Sequence, residues 1–287
     1  MGKRAFAIKP WTLALLAPPI LFLGAFFVLP FLLVVNSSLS GAEGGWTFAR
    51  YFTLFSDEFF WTALLRTLRI ALYATLATIV LGYPLAYLLV RVVRRRGLKR
   101  LLYVAIIAPM FTSNIVRSFG WIIILGRQGI INNAMVSSGL IDRPISILYS
   151  EFSMIVGLAY VMLPFMVLTV ASVMQSIDPA YEEAAQDLGA SRLTAFAKIL
   201  FPLSMPGVIA GSLIVFTLSV SAYVTPSVLS GGKKFVMSML IFQQYDTVLD
   251  YAAGATLAVT LLVATLMIVT AYVALVERKP RGQGAGT

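Results

Sequence analysis

The sequence predicts an all-α membrane protein with six transmembrane helices and both termini on the cytoplasmic side, and three observations carry that prediction. The chain is 59% hydrophobic and 12% charged, with a mean hydropathy of +0.89, which is more apolar surface than a soluble domain of 287 residues can hide. Six apolar runs are each long enough to cross about 30 Å of hydrocarbon. The basic residues are also sorted by membrane side. Lys3, Arg4 and Lys9, then Arg91, Arg94, Arg95, Arg96, Lys99 and Arg100, then Arg192 and Lys198, then Arg278, Lys279 and Arg281 make 14 of the 22. All 14 fall on one side if the first run leaves the cytoplasm, and the short loop from Arg91 to Arg100 weighs most. That cluster is equally suited to anionic lipid.

The first run, Trp11 to Val35, follows three basic residues and precedes Ser40-Gly41-Ala42, as a signal peptide would. It is too long for one and reads as an uncleaved anchor. The second run is Thr62 to Val90, the third Leu101 to Leu125, the fourth Phe152 to Met174, the fifth Gly207 to Leu229 and the sixth Ala252 to Val276. Between them, Gly44 to Trp61, Arg127 to Ser150 and Ser230 to Tyr251 are outward loops, the latter two patterned for short surface helices. Pro109, Pro164 and Pro226 lie inside runs, where a break is tolerated only if neighbours or water satisfy the freed backbone groups. Each is either a lining position or a packing kink. Gly207 and Gly211 form a small-xxx-small pair suited to close helix contact. No internal repeat is evident, which speaks against an inverted duplication within one chain. The chain reads as one permease-like domain, 1–287, with its core over 62–276.

The segment between the fourth and fifth runs is polar. Asp178 offers an N-cap oxygen, Pro179 a preset first helical φ, and Glu182 and Glu183 suit the positive end of the helix dipole. Tyr181, Ala184, Ala185 and Leu188 then share one helical face. Gly189 supplies the left-handed residue that ends this helix, and Ser191 caps a second one in which Leu193, Phe196, Ala197 and Leu200 repeat the spacing. Pro202 and Pro206 are expected to break the second helix before the chain re-enters lipid. The unit over 178–200 is therefore helix, glycine elbow, helix.

At these residues the chain resembles the membrane-spanning permease subunits of bacterial ATP-driven (ABC) importers of the binding-protein-dependent, type I class. Their signature is Glu-Ala-Ala, three residues, Gly, nine residues, then Ile-x-Leu-Pro. Glu183, Ala184, Ala185, Gly189, Ile199 and Pro202 match it, and Phe201 stands where the family has Leu, a change of one apolar residue for another. Over about 62–276 the runs LGYPLAYLL, VMLPFMV, EEAAQDLGAS and PLSMPGVIAGSL look like the first permease subunits of spermidine/putrescine importers, a group with relatives for opines, γ-aminobutyrate and other small amines or organic ions. The resemblance implies a six-helix permease of the bacterial inner membrane. It would pair with a second, homologous permease subunit, a cytoplasmic ATPase dimer and a secreted or periplasmic solute-binding protein. The resemblance further implies that Glu182, Glu183, Ala184, Ala185, Asp187, Gly189, Ala190, Ile199 and Pro202 dock in a groove on the ATPase.

Composition excludes much other chemistry. There is no Cys and no His, so thiol nucleophiles, His-based triads and His–zinc sites are ruled out, and neither a cofactor site nor a metal site is expected. A P-loop is missing too, because around Gly232-Lys233 the leading Gly is replaced by Ser227 and the final Ser or Thr by Lys234. Any ATP hydrolysis must come from another chain. Although a charge of +10 would suggest nucleic acid in a soluble protein, its sorting points to the membrane, and no nucleic-acid partner is expected.

Candidate pathway groups are then polar and aromatic residues inside the runs. Asn114 and Arg117 lie three apart on one face of the third, where Arg117 either meets a cavity or snorkels to the interface. Trp121 follows one turn on, and Tyr160 and Tyr223 could supply walls and hydroxyls or simple packing. No Asp or Glu occupies a run centre, so a polycation would pass by cation–π contacts and carbonyls or by carboxylates from another subunit. Glu151, Asp246 and Asp250 read as solvated loop charges. The missing central carboxylates also disfavour the main alternative, an ion-coupled secondary transporter acting alone, and there are no paired carboxylates for an intramembrane enzyme. Within the importer class, γ-aminobutyrate, an opine or an amino acid is the alternative cargo.

Overall fold

A computed structural model describes residues 10–41 and 45–277. Among these residues the structure is helical, with a single isolated bridge between Ser40 and Trp46 in place of a sheet. Five helices are long and apolar enough to span a membrane: Leu15–Leu39, Glu58–Val92, Glu151–Ser176, Arg192–Ser221 and Tyr251–Val276. A bent pair, Arg96–Phe111 and Asn114–Ser137, makes a sixth if it counts as one span. The chain divides into two compact units, one of residues 1–58 with 240–263 and one of 59–239 with 264–287.

In the first unit, α1 (Pro10–Leu23) runs through a wide π-type turn at Gly24–Val28 into α2 (Leu29–Leu39). The span therefore reaches four residues beyond the expected end at Val35. Leu29 N–H donates to Gly24 O across the wide turn, and Pro30, which has no N–H to offer, follows at once. Leu15–Leu39 is exposed along most of its length, with Ser38 buried. A helix absent from the sequence expectation, α3 (Ala49–Ser56), occupies the first outward loop with Phe48 and Phe52 exposed. Tyr51 donates to Ser38 Oγ at 2.9 Å, and Trp46 Nε1 to Asn36 Oδ1 at 3.1 Å. Asp250 is more than a solvated loop charge. It accepts from Ala253 N–H at 2.9 Å, capping α14 (Tyr251–Glu277), and lies 3.4 Å from Arg50. The hydrogen bond from Ala253 N–H is the largest influence and holds its carboxyl below the usual range; burial opposes it, and the Arg50 guanidinium adds to the lowering.

The second unit is built on α4 (Glu58–Tyr87), α8 (Glu151–Ser176) and α11 (Phe201–Ser221). Close approach of α8 and α11 depends on the small pair that the sequence singles out. A Cβ added to Gly207 would lie 3.0 Å from Val173 Cβ and 3.1 Å from Val170 Cα, and one on Gly211 2.8 Å from Met166 Sδ. Met166, Val167, Val170 and Met174 are consequently buried, together with Leu89 and Leu200. A second core gathers Ile70, Leu125, Met154, Leu158 and Leu229.

Two expected spans are corrected here. The third, Leu101 to Leu125, is not one straight helix. Here α5 (Arg96–Ile107) tightens into a 3-10 turn at Ala108–Phe111, Thr112 and Ser113 are extended, and α6 (Asn114–Leu125) leaves at 102°. Pro109 removes an amide donor, and Ser113 then caps the new helix by accepting from Ile115 N–H at 3.3 Å. The fifth is displaced toward its N-terminus. Pro202 and Pro206 do not break the chain, because α10 (Arg192–Ala195) flows through a wide turn at Phe196–Leu200 into α11 as one long helix. In that turn Phe201 N–H reaches back to Phe196 O, which accommodates the missing donor at Pro202. This helix stops at Ser221, and α12 (Val224–Ser230), with Pro226 inside it, is a separate short element. Pro164 sits within an unbroken α8. The second outward loop carries α7 (Ile130–Ser137), and α13 (Met237–Gln243) lies in the third.

Candidate functional site

The unit after α8 has the local structure its residues dictate. Asp178 Oδ1 accepts from Ala180 N–H at 2.9 Å, and α9 (Ala180–Asp187) begins there with Glu182 and Glu183 in its first turn. The helix ends on Gly189 at φ +88°, with Ala190 N–H bonded to Ala185 O and Gly189 N–H to Gln186 O, both at 2.9 Å. These are the two closing bonds of a Schellman ending, and they require the left-handed residue at 189. Ser191 then caps α10 by accepting from Thr194 N–H at 3.2 Å. The second helix is held from behind by aromatic contacts. Phe196 meets Tyr83 and Tyr87 edge-on at 6.0 and 5.3 Å, Phe201 meets Tyr83 at 5.5 Å, and the Tyr83 and Ser204 hydroxyls are bonded at 2.8 Å.

This unit exposes large apolar side chains among charged ones. Tyr181, Leu188 and Leu193 are 60%, 90% and 75% exposed, and Glu183, Ala184, Asp187, Gly189 and Pro202 are exposed with them. Ala185, Ala190 and Ile199 are half-buried. Glu182 points the other way. Its Oε1 lies 2.9 Å from Arg91 Nε, with the two side chains 16% and 12% exposed. Neither atom has a hydrogen-bond partner, so the contact is one of charge rather than an aligned hydrogen bond.

Of the five membrane-embedded candidates, the structure brings Asn114 and Arg117 together and assigns them a local task. Arg117 Nη1 donates to Pro109 O at 2.7 Å, a carbonyl that also accepts from Thr112 N–H at 3.2 Å and from Thr112 Oγ1 at 2.8 Å, and Nη2 donates to Asn114 Oδ1, so the guanidinium joins the bonds that fasten the helix break. Trp121 and Tyr160 meet edge-on at 5.7 Å. Trp121 and Tyr223 pack on the same core of Ile70, Leu125 and Leu158.

Sequence reasoning missed a charge cluster where the start of α8 meets α4. Glu151, expected to be solvated, sits 3.3 Å from Arg66 Nε and 2.5 Å from Arg69 Nη2, while Arg66 Nη1 donates to Phe235 O at 3.0 Å. The available signal was the i, i+3 spacing of Arg66 and Arg69 on one helix face, with a lone carboxylate at the start of α8. Arg91 reads from the sequence as a topology charge or a contact for anionic lipid, not as a partner of Glu182. Its position at the end of a span, ahead of the solvated Arg94 to Arg96 run, was the cue.

Comparisons with known proteins agree with this architecture. Residues 78–281 match the family model described as binding-protein-dependent transport system inner membrane component. The spermidine/putrescine transport system permease protein PotB of Escherichia coli (strain K12) is 33% identical over 252 residues, covering 86% of this chain and 91% of that protein. The protein of the same name from Haemophilus influenzae is 30% identical over 254 residues, covering 86% and 88%. A chain from the crystal structure of a bacterial ABC transporter involved in the import of the acidic polysaccharide alginate shares the fold. It has a TM-score of 0.72 at 20% identity, with 94% of this chain and 96% of that chain covered.

Proposed function

Because this chain belongs to the family of binding-protein-dependent transport system inner membrane components, we propose that it is a permease subunit of an ATP-driven importer for polyamines such as spermidine and putrescine, or for related small amines. It is a multi-pass protein of the bacterial inner membrane. It works with a second, homologous permease subunit, a cytoplasmic ATPase dimer and a periplasmic binding protein, and its own part is the translocation path. The observation that carries the reading is the 178–202 unit, a capped, rigid pair of helices that exposes Tyr181, Leu188 and Leu193 beside the family signature. Exposed apolar side chains of this kind, ringed by Glu183, Asp187 and Arg192 at the end of two spans, suit burial in a partner's groove. Closure of the ATPase pair would push on this unit, and α11, continuous with α10, would carry the displacement into the membrane.

The cargo assignment is supported by relatives whose names specify spermidine and putrescine. In this chain Glu151 is already shared by two arginines, so the cation-attracting groups are the Trp121–Tyr160 pair, helix carbonyls, and carboxylates contributed by the second permease. The test is uptake of labelled spermidine, γ-aminobutyrate and an opine by membranes that express the chain with its neighbouring subunits. Gly189→Pro should abolish ATP-driven uptake while the chain still inserts, because proline cannot adopt the positive φ of the elbow. Normal uptake by that variant would remove the docking role. Transport by the purified chain alone down an ion gradient would establish the secondary-transporter alternative instead.

A further inference from the structure

One side chain on the inner surface of the 178–202 unit ties together three separate elements. Arg91 lies in the wide turn Leu88–Val92 that ends the second span. Its Nη2 donates to Ile177 O at 2.9 Å, at the point where α8 has just ended and the chain turns extended. Its Nε lies 2.9 Å from Glu182 Oε1 in the first turn of α9. The carbonyls at the end of a helix have no partner within it, so a guanidinium from a neighbouring element is a natural cover for one of them. Glu182 receives the same charge at reduced exposure, where the pairing is less screened than on an open surface. The surroundings are stiff, since Leu89, Met174, Ile177 and Leu200 are buried in one cluster. Arg94, three residues on, is exposed and takes part in none of this.

We infer that Arg91 is a positioning residue, a clasp that fixes the orientation of α9 relative to the second span, so that force applied to the docking unit moves that span together with α8 and α11. The inference rests on the proposed docking role for its functional consequence. The clasp itself is a property of this chain alone. Without it, α9 would remain a capped helix joined to the rest of the unit through Asp178, Pro179 and the aromatic contacts of Phe196, free to pivot about its N-terminus.

Two measurements keep the clasp and the docking role separate. In the first, amide hydrogen exchange is followed on the purified full-length chain in lipid nanodiscs, with no ATPase present. Arg91→Gln should speed exchange over 180–190 by about tenfold or more, the size expected for loss of a hydrogen bond from a charged group together with the pairing, and the near-isosteric Glu182→Gln, which removes the pairing alone, by about two- to fivefold. Arg94→Gln should not. The double variant should exchange little faster than Arg91→Gln alone, and Arg91→Lys should restore part of the protection. If both single variants exchange like wild type over 180–190, the clasp does not exist, whatever the assembled transporter does. If Arg91→Gln does not accumulate in the membrane, Glu182→Gln decides the matter in the same way. The second measurement uses the assembled complex. Arg91→Gln should raise the ATP hydrolysed per solute imported, with the subunits still purifying together. Unchanged stoichiometry beside faster exchange would overturn the transmission role while leaving the clasp. A wild-type complex without ATP-dependent uptake would instead refute the importer reading.

Discussion

Arg117 shows how the role of a single residue depends on a break that its neighbours create. The residue type and its apolar context mark it as functional by default, because an arginine in a span is costly unless something receives it. What receives it is the carbonyl of Pro109, together with Asn114 from its own turn. The pairing with Asn114 was legible from their spacing of three. The pairing with Pro109 was not, since it requires the chain to fold back by 102° between 111 and 114. Arg117→Met should lower the unfolding midpoint of the purified chain in detergent by the equivalent of roughly 1.5–3 kcal/mol, and Arg117→Lys by less. An Arg117→Met protein as stable as wild type that nonetheless fails to transport would return Arg117 to the pathway. Glu151 carries the same lesson. Its type and position suggested solvation, and only tertiary packing brings Arg66 and Arg69 to it.

Among the elements, caps and glycines were readable, and so were the break at Pro109 and the helix start at Pro179, while the effect of Pro202 and Pro206 was not. Asp178, Gly189 and Ser191 act as their local chemistry requires, because capping involves groups within a few residues of one another. Pro202 was expected to stop a helix, and an isolated chain would obey. Here the turn before it widens, moving aside the carbonyl that the ring would strike, and packing of Phe196, Leu200 and Phe201 holds the widened form. The α8–α11 contact offers a test at this scale. Gly207→Val places new atoms against the Val170 backbone, where nothing flexible can yield, and should destabilise the chain by about 1–3 kcal/mol. Gly211→Ala presses only on the end of the Met166 side chain, with the Met166 backbone at an ordinary 3.6 Å, and should cost less. Thermal midpoints of the two variants in the same detergent check the ranking, and equal loss would contradict it.

For the whole molecule, hydropathy identified the membrane class and the number of apolar runs, but it could not see where a run bends or where a helix begins in the polar segment before it. Span five shows the second failure, since its helix starts at Arg192 rather than Gly207. Orientation was argued from charge sorting alone and can be measured directly, because a chain without cysteine accepts single reporters. In spheroplasts, a membrane-impermeant maleimide should label Ser138→Cys, and label Gly97→Cys only after lysis. The reverse pattern would invert the topology and with it the placement of the 178–202 unit.

The widened turn at Phe196–Leu200 has a geometric consequence for the two faces it joins. Each residue of an α-helix advances the azimuth by about 100°, so a turn that closes over one residue more than its neighbours acts as a phase shifter. It sets the compass bearing of Leu193, on the surface side, against that of Gly207, buried on α8. The two bearings are thereby locked by a single residue of register, much as a keyway indexes a gear on its shaft.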